Sequence, residues 1–365
     1  MNQPSLSSAL AGSRIPGLDF LRALAVVFVL IDHTEYKFGG PLGIVNGGIG
    51  VEIFFVLSGF LITSMLLEEI DRFGSISFKD FFQRRAARLL PIFYAYVLVG
   101  IVYLTLRHKP VPWDAVVAGS FYVINYFQAF NGAEAHFLSH CWSLAVEEQF
   151  YFVWPLIVAL VIRLKWRLDW TLVGLILAVW VYRAASQLTG WHTDEYLYRA
   201  LDTRADHLLM GCLLALLLKR ADWCRWFERL WQTPGLMIGL FALLMTSGTF
   251  HHNQTYKYVF AYALEPVLIA MLIPMVILAA SRTDGWLSAG LNARWVVLTG
   301  QASYGVYLFH QLLMHPMRGI VEKLSGSYHL AIFLSIAVVI VFAHQSFTRF
   351  EAPIRQRLRP PPRTI

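Results

Sequence analysis

Charged residues are scarce in this sequence. Of its 365 residues, 15% are Asp, Glu, Lys or Arg, whereas soluble domains usually contain about 25%. Hydrophobic residues make up 57% of the chain, and the mean hydropathy is +0.54. This composition does not supply a water-soluble surface, which argues against an ordinary cytosolic enzyme, a disordered chain and a secreted disulfide scaffold. It predicts a polytopic membrane protein.

Several sequence signatures are also missing. The three cysteines, Cys141, Cys212 and Cys224, have no paired spacing, so we expect neither a disulfide framework nor a zinc site. No His is directly followed by Glu and no Gly by Lys, which excludes an HExxH metalloprotease and a P-loop. These absences leave no motif for a resident metal or a tightly bound nucleotide.

The remaining histidine pairs and the net charge carry little weight alone. His136 with His140, and His251 with His252, are interpreted as loop residues because neither pair has a third ligand nearby in the sequence. A net charge of +7 would suggest a nucleic-acid partner in a soluble protein. In a membrane protein the position of the positive charges matters more, and we expect no nucleic-acid partner and no metal.

Long uncharged runs alternate with short polar segments along the chain. A helix that crosses a bilayer needs about 20 mostly apolar residues. We therefore predict an all-α polytopic protein of about ten transmembrane helices. The predicted spans are 18–34, 50–68, 88–106, 147–164, 170–187, 205–219, 234–250, 263–281, 295–314 and 328–347. The segment 115–130 contains Asn125 and Gln128 and is interpreted as a candidate re-entrant or interfacial helix.

The distribution of Lys and Arg agrees with this layout. With both termini in the cytoplasm, 20 of the 30 basic residues fall in cytoplasmic segments and nine in outer segments. Such a bias follows the positive-inside rule. The predicted organisation is a cytoplasmic segment at 1–16 without a cleavable signal, one membrane domain at 17–355, and a basic, proline-rich cytoplasmic tail at 356–365.

The first span carries three residues that are costly to bury. Asp19 and Arg22 are three residues apart and can pair on one helix face. Arg22 and His33 are eleven apart, which places both on one stripe with about 16 Å of rise between them. Arg22 could be a snorkelling anchor and His33 an interfacial residue. The alternative is that the stripe carries chemistry, because charges inside a membrane usually have a functional reason.

Charged and polar side chains also mark other span ends. Arg85 and Arg88 share a helix face and fit either anionic lipid head groups or the phosphates of a nucleotide-like cofactor. Glu147 and Glu148 open the fourth span among aromatic residues, where a carboxylate could orient an imidazole or form a structural ion pair. The other candidates are Ser58, Asp202, Arg204, Asp206 and His310.

Together and in this order, these motifs resemble the acyltransferase-3 family of bacterial membrane O-acyltransferases. The resemblance runs from about residue 17 to 355. It rests on the segments LDFLRALAVVFVLIDH, GVEIFFVLSGFLIT, FFQRRAARLLPIFY, WSLAVEEQFYFVWP, DTRADHLLMG, SYGVYLFH and FEAPIR. The resemblance implies a fold of about ten helices in the bacterial cytoplasmic (inner) membrane. It also implies transfer of an acyl group, most often acetyl, from cytosolic acyl-CoA to a glycan such as lipopolysaccharide or exopolysaccharide.

The resemblance also implies roles for particular residues. His33 would be the catalytic group, as a general base or as a transiently acylated nucleophile. Glu147, or alternatively Glu148, would hold its ring. Arg85 and Arg88 would bind the acidic part of CoA, with Arg22 along the path of the pantetheine arm. The supporting positions would be Asp19, Glu148, Ser58, Asp202, Arg204, Asp206 and His310.

Further expectations concern partners and rival functions. Acyl-CoA is expected as a co-substrate, with no permanently bound cofactor, and a glycan or glycolipid as acceptor. We expect no esterase-like domain beside the membrane part, and therefore direct transfer to the acceptor or a separate partner. Association into a homo-oligomer or a biosynthetic complex is left open. The rival functions are a glycan or lipid transporter that uses the charged stripe as its pathway, and a membrane scaffold with structural charges.

Overall fold

A computed structural model describes residues 5–12, 14–34, 46–132, 136–358 and 360. In this part of the chain the secondary structure is helical, with no strand. The first nine α-helices are α1 Leu6–Leu10, α2 Leu18–Asp32, α3 Gly47–Phe73, α4 Phe78–Leu106, α5 Trp113–Ser120, α6 Ile124–Asn131, α7 Trp142–Arg163, α8 Leu168–Thr189 and α9 Asp194–Arg199. The next nine are α10 Leu201–Leu218, α11 Ala221–Trp231, α12 Leu236–Thr249, α13 Tyr262–Ser281, α14 Trp286–Leu291, α15 Arg294–Gln301, α16 Ser303–Ser325, α17 Tyr328–Ser346 and α18 Ala352–Leu358.

Three short segments depart from the α-helical hydrogen-bond pattern. Ser139–Cys141 forms a 3₁₀ turn that leads into α7. Tyr256–Ala261 and Phe347–Glu351 are π-helical turns beside α13 and α18. Such turns often occur at functional sites or where a side chain must be re-aimed.

Membrane-capable helices dominate the described residues. Six are long and apolar enough to cross a bilayer, and the pair α11 and α12, which meet at 89°, makes a seventh if it is counted as one span. The prediction of an all-α polytopic membrane protein is confirmed. Each predicted span lies on helical structure, but the count of ten and the side of the termini stay predictions.

Four predicted spans, 18–34, 205–219, 234–250 and 295–314, are not among these six helices, because they fall on helices that are short, charged or divided. Helix α2 has 15 residues, and α10 contains Asp202, Arg204 and Asp206. The predicted span 295–314 is divided between α15 and α16. The ambiguous segment 115–130 forms α5 and α6, of eight residues each. At 1.5 Å per residue, neither is long enough to cross a bilayer.

Helices α3 and α10 pack with their backbones in direct approach. A Cβ atom on Gly59 would collide with the carbonyl oxygen of Leu208, and one on Gly211 with that of Val56. Small residues at such a contact allow two helix backbones to approach directly. This contact fixes α3, which carries Ser58 on the side that faces α7.

Candidate active site

A cavity of about 440 Å³ lies between α2, α3, α4, α7, α16 and α18. Its walls combine apolar side chains, such as Phe54, Leu57 and Leu61, with a polar group at each end. We call one end the arginine end, formed by Arg22, Arg84, Arg85, Arg88 and Arg355. We call the other the tyrosine end, formed by Ser143 and Tyr307.

The arginine end is only partly neutralised. Three of its arginines pair with carboxylates: Arg22 with Asp19 at 3.0 Å, Arg84 with Glu69 at 3.3 Å, and Arg85 with Glu148 at 3.0 Å. Arg88 and Arg355 form no ion pair among the described residues, although the carboxylate of Glu351 lies close enough to both to interact with their charge. The arginine end therefore carries positive charge that an anion can use, and guanidinium groups bind phosphates with paired hydrogen bonds.

Local structure explains how these arginines come together. Helix α4 begins at the N-cap Ser77, whose hydroxyl accepts from the Asp80 amide, and Arg85 and Arg88 follow on one face. The Arg85 guanidinium lies 3.3 Å from the centre of the Tyr151 ring. This cation–π contact and the Glu148 pair hold Arg85 in place.

The middle of the cavity carries a carboxylate. Ser58 Oγ donates a hydrogen bond to Glu147 Oε1 at 3.0 Å, and both side chains line the cavity. The expected contact between Glu147 and His33 is not among the contacts of the described residues. Glu148 pairs with Arg85 instead. Successive helix positions point about 100° apart, which explains why Glu147 and Glu148 serve different partners.

The tyrosine end leads to a histidine. Tyr307 exchanges a hydrogen bond with the Ser143 hydroxyl, and its hydroxyl donates to the backbone carbonyl of His140 at 2.8 Å. The His140 ring lies behind this contact, with its centre 5.4 Å from that of Tyr307. His140, interpreted from the sequence as a loop residue, is in fact buried in the 3₁₀ turn before α7.

His33 stands at the C-terminal end of α2. Its Nδ1 contacts the Val29 carbonyl at 2.9 Å, and the same carbonyl accepts the backbone N–H of His33 at 3.1 Å. A carbonyl only accepts, so Nδ1 carries the hydrogen and Nε2 has a free lone pair in the neutral ring. The ring is half-buried, lines a small crevice with Thr34, His315 and Arg318, and contacts His310 edge-on at 4.7 Å.

A second buried group of charges lies outside the cavity. Asp206 receives hydrogen bonds from Arg183 at 2.8 Å and from His207 at 2.9 Å. Arg204 reaches Glu52 at 3.4 Å. These five side chains are fully buried and join α3, α8 and α10. The predicted supporting residues Arg204 and Asp206 belong here, and neither lines the cavity.

His251 lies in a loop, as the sequence predicted, and reaches the same charge group through Glu265, which contacts Glu52. Its Nδ1 accepts from Asn46 at 3.1 Å and its Nε2 lies 2.8 Å from Glu265 Oε1. Burial lowers the pKa of His251, in the loop before the π-helical turn, to about 4. Among the described residues, no three His, Cys, Asp or Glu side chains are arranged to hold a metal ion.

Asp202 forms a separate polar and aromatic patch. Its two carboxylate oxygens accept from the hydroxyls of Tyr126 at 3.2 Å and Tyr196 at 2.8 Å. The ring of Tyr196 stacks on His192 at 4.0 Å and contacts the exposed Phe130. Asp202 and Asp206, four residues apart on α10, therefore have different partners.

Comparison with known proteins identifies the family. The family model described as an acyltransferase domain matches residues 15–344, which include every helix that lines the cavity except α18. The chain belongs to this acyltransferase family. The resemblance of its motifs to the acyltransferase-3 family is thereby confirmed, and the chain carries a membrane acyltransferase domain.

Similar proteins include relatives named as peptidoglycan O-acetyltransferases. The chain is 32% identical to the peptidoglycan O-acetyltransferase OatA of Listeria monocytogenes, over 94% of this chain and 56% of the relative. It is 31% identical to YrhL of Bacillus subtilis, provisionally named a peptidoglycan O-acetyltransferase, over 93% of this chain and 55% of YrhL. The chain thus spans little more than half the length of these relatives. No solved structure matches it.

Proposed function

We propose that the protein is a membrane O-acetyltransferase that moves an acetyl group from cytosolic acetyl-CoA to a hydroxyl of a cell-envelope polysaccharide or glycolipid. One observation carries this proposal. A single cavity joins a partly uncompensated cluster of arginines to Tyr307, whose ring centre lies 5.7 Å from that of His310. His310 in turn contacts His33, which lines a separate crevice and not the cavity itself. Family membership and the names of the relatives support the same reaction.

The donor proposal follows from the shape and charge of the cavity. A volume of about 440 Å³ lies in the range of small-molecule sites. The phosphates of CoA would bind at the arginine end, near Arg88 and Arg355, with the predicted residues Arg22 and Arg85 lining the way inward. The pantetheine arm would follow the apolar wall, and the thioester would lie near Tyr307. Acetyl-CoA is a co-substrate that leaves as CoA.

The chemistry moves one proton twice, first from the acceptor hydroxyl to His33 and then from His33 to the leaving sulfur. The acceptor hydroxyl loses its proton to His33 Nε2 as its oxygen attacks the thioester carbonyl carbon. A C–O bond forms, the C–S bond breaks, and the proton ends on the CoA sulfur. A neutral imidazole with one nitrogen fixed on a backbone carbonyl is suited to this role. Direct transfer needs no covalent intermediate on the enzyme.

The acceptor proposal has two supports. Two of the relatives are named for peptidoglycan. The patch around Asp202, with Tyr126, Tyr196 and the exposed Phe130, offers ring faces beside a carboxylate, an arrangement that suits sugar rings and their hydroxyls. We propose that the enzyme is located in the bacterial cytoplasmic membrane and that transfer takes place at its outer face.

The first test uses the purified protein in proteoliposomes with labelled acetyl-CoA and a cell-envelope glycan fraction. Wild type is expected to transfer label to the glycan, and His33→Ala is expected to reduce transfer at least about 100-fold. His252 is an exposed histidine in a different loop, so His252→Ala is the control variant. Transfer retained by His33→Ala would contradict the mechanism. Glycan movement without release of CoA thiol would instead support a transporter.

A second arm tests the donor site. Arg88→Gln removes a guanidinium that forms no ion pair among the described residues, so the affinity for CoA is expected to fall about tenfold at low salt. The difference between Arg88→Gln and wild type should shrink as salt is added. Arg72→Gln is the matched control, because Arg72 pairs with Glu68 on the exposed side of α3. Unchanged affinity for CoA in Arg88→Gln would show that the CoA phosphates do not bind at this site.

A further inference from the structure

The donor cavity and the crevice at His33 are two separate spaces. The cavity ends at Ser143 and Tyr307, whereas the residues that line the crevice include His33, Thr34 and Arg318. None of the described residues lines both spaces. A general base acts on a group within about 3 Å of it, so the thioester, the acceptor hydroxyl and His33 must share one space during the reaction. A barrier between the cavity and the crevice therefore has to open.

Packed aromatic rings form this barrier. The ring centre of His310 lies 5.7 Å from that of Tyr307 on the cavity side and 4.7 Å from that of His33 on the crevice side. His140 packs beside them, with its ring centre 5.4 Å from that of Tyr307 and 4.8 Å from that of His310. Aromatic rings pack against each other with their centres about 4.5–7 Å apart. Neither water nor a thioester passes between rings that are packed in this way.

Tyr307 is the ring of the barrier that has room to move. It lines the cavity, whereas His310 is fully buried and lines neither space. Protein interiors are close-packed, so an enclosed side chain can change its rotamer only by displacing its neighbours. A side chain that borders a cavity can turn into that cavity. Tyr307 is therefore the movable face of the barrier, and His310 is its fixed backing.

The hydroxyl of Tyr307 holds the ring in the closed position. It donates to the backbone carbonyl of His140 at 2.8 Å. Because it has one hydrogen, its contact with Ser143 uses the Ser143 hydroxyl as the donor. Both partners lie where α7 begins, in the 3₁₀ turn and in the first helical turn. One hydrogen bond of this kind shifts an equilibrium about two- to tenfold, so the two bonds favour the closed position and still allow it to open.

We propose that Tyr307 is a gate between the donor cavity and the acceptor crevice. Its bonds to His140 and Ser143 close the gate, and rotation of its ring away from them opens it. This inference rests on the proposed function. The closed gate separates the thioester from His33 and from water in the crevice. Once the gate is open, His33 takes the proton of whatever group occupies the crevice, either a glycan hydroxyl or, in its absence, water.

Opening without a glycan leads to hydrolysis of acetyl-CoA. A water molecule loses one proton to His33 as its oxygen attacks the thioester carbonyl carbon. A C–O bond forms, the C–S bond breaks, and the proton passes from His33 to the CoA sulfur. The products are acetate and CoA. The rate of this hydrolysis therefore measures how often the gate is open.

The test removes the closing bonds and measures release of CoA thiol from acetyl-CoA without glycan, in proteoliposomes. Tyr307→Phe keeps the ring and loses both bonds, so we expect hydrolysis to rise about tenfold or more. Ser143→Ala loses one bond, and we expect a smaller rise of about two- to tenfold. The matched control is Tyr94→Phe, because the exposed Tyr94 donates its hydroxyl to the Ser120 carbonyl at 3.0 Å outside the cavity. It should hydrolyse acetyl-CoA at the wild-type rate.

Two further measurements separate a gate from a catalytic or structural role of the hydroxyl. With glycan present, Tyr307→Phe should transfer labelled acetyl groups at least as fast as wild type, with unchanged CoA binding. A hydroxyl that took part in the chemistry, or that only held the fold, would on removal lower transfer and hydrolysis together. In the double variant Tyr307→Phe/His33→Ala the extra hydrolysis should disappear, because it passes through His33.

The gate is overturned by wild-type hydrolysis in Tyr307→Phe, by a parallel fall in hydrolysis and transfer, or by extra hydrolysis that persists without His33. Ser143→Ala decides the question if Tyr307→Phe melts below the assay temperature. Failure of the proposed function is distinct. If wild type transfers no label to glycan, or His33→Ala retains transfer, the proposed reaction fails whatever Tyr307 does. If both of those results are as expected and Tyr307→Phe behaves like wild type, only the gate fails.

Discussion

At the scale of single residues, the structure separates two groups that the sequence would pair. The carboxylate of Glu147 accepts from Ser58, whereas the Val29 carbonyl holds the His33 ring. Because Glu147→Gln keeps an acceptor for Ser58, we expect kcat to fall by less than about tenfold, far less than in His33→Ala. Steady-state kinetics of acetyl transfer measure the difference, with Ser58→Ala as the companion variant. A loss of kcat as large as that of His33→Ala would contradict this expectation and support a role for Glu147 in orienting the His33 ring.

The sequence alone predicted a large part of the residues that line the cavity. Arg22, Ser58, Arg85, Arg88 and Glu147 were predicted as site residues, and all of them line one cavity. Their motifs lie close together along helices, where spacing alone shows a shared face. Four further participants were not predicted: Arg84, His140, Tyr307 and Arg355. Arg84, Tyr307 and Arg355 lie inside the quoted motifs FFQRRAARLLPIFY, SYGVYLFH and FEAPIR, and His140 directly precedes the Trp142–Ser143 motif. Their place at the site follows only from tertiary packing.

At the scale of helices, the contact between α3 and α10 places Ser58 against α7. Gly59→Ala would force a methyl group into the Leu208 carbonyl, and overpacking of this kind costs about 1–3 kcal/mol. We expect a clearly lower melting temperature in detergent and reduced acetyl transfer. Gly174→Ala in α8 is the matched control, because nothing lies within 4 Å of the added atom. The same change there should be neutral or slightly stabilising. Equal melting temperatures for the two variants would contradict the packing argument.

Helix length explains why hydropathy detects some helices of the fold more readily than α2, the helix that ends at His33. Hydropathy finds the long apolar helices α3, α4, α8 and α13, because their composition alone satisfies a membrane span. It does not find α2 as readily, since Asp19 and Arg22 lie in a helix of only 15 residues. The weak span signal of α2 comes from its length. The helices α3, α4 and α7 are long and apolar enough to cross a bilayer although they carry Ser58, Arg85, Arg88 and Glu147.

At the scale of the whole molecule, the distribution of basic residues predicts that both termini face the cytoplasm. The native cysteines are all buried, so single cysteines introduced at exposed positions can report sidedness against a low background. Lys109 lies after α4 on the predicted outer side, and Arg357 in α18 on the predicted inner side, both exposed. In spheroplasts, a membrane-impermeant maleimide is expected to label Lys109→Cys and not Arg357→Cys; permeabilised cells should label both. Labelling of Arg357→Cys in intact spheroplasts would place the arginine end of the cavity outside, where cytosolic acetyl-CoA cannot reach it, and the proposed reaction would lose its donor.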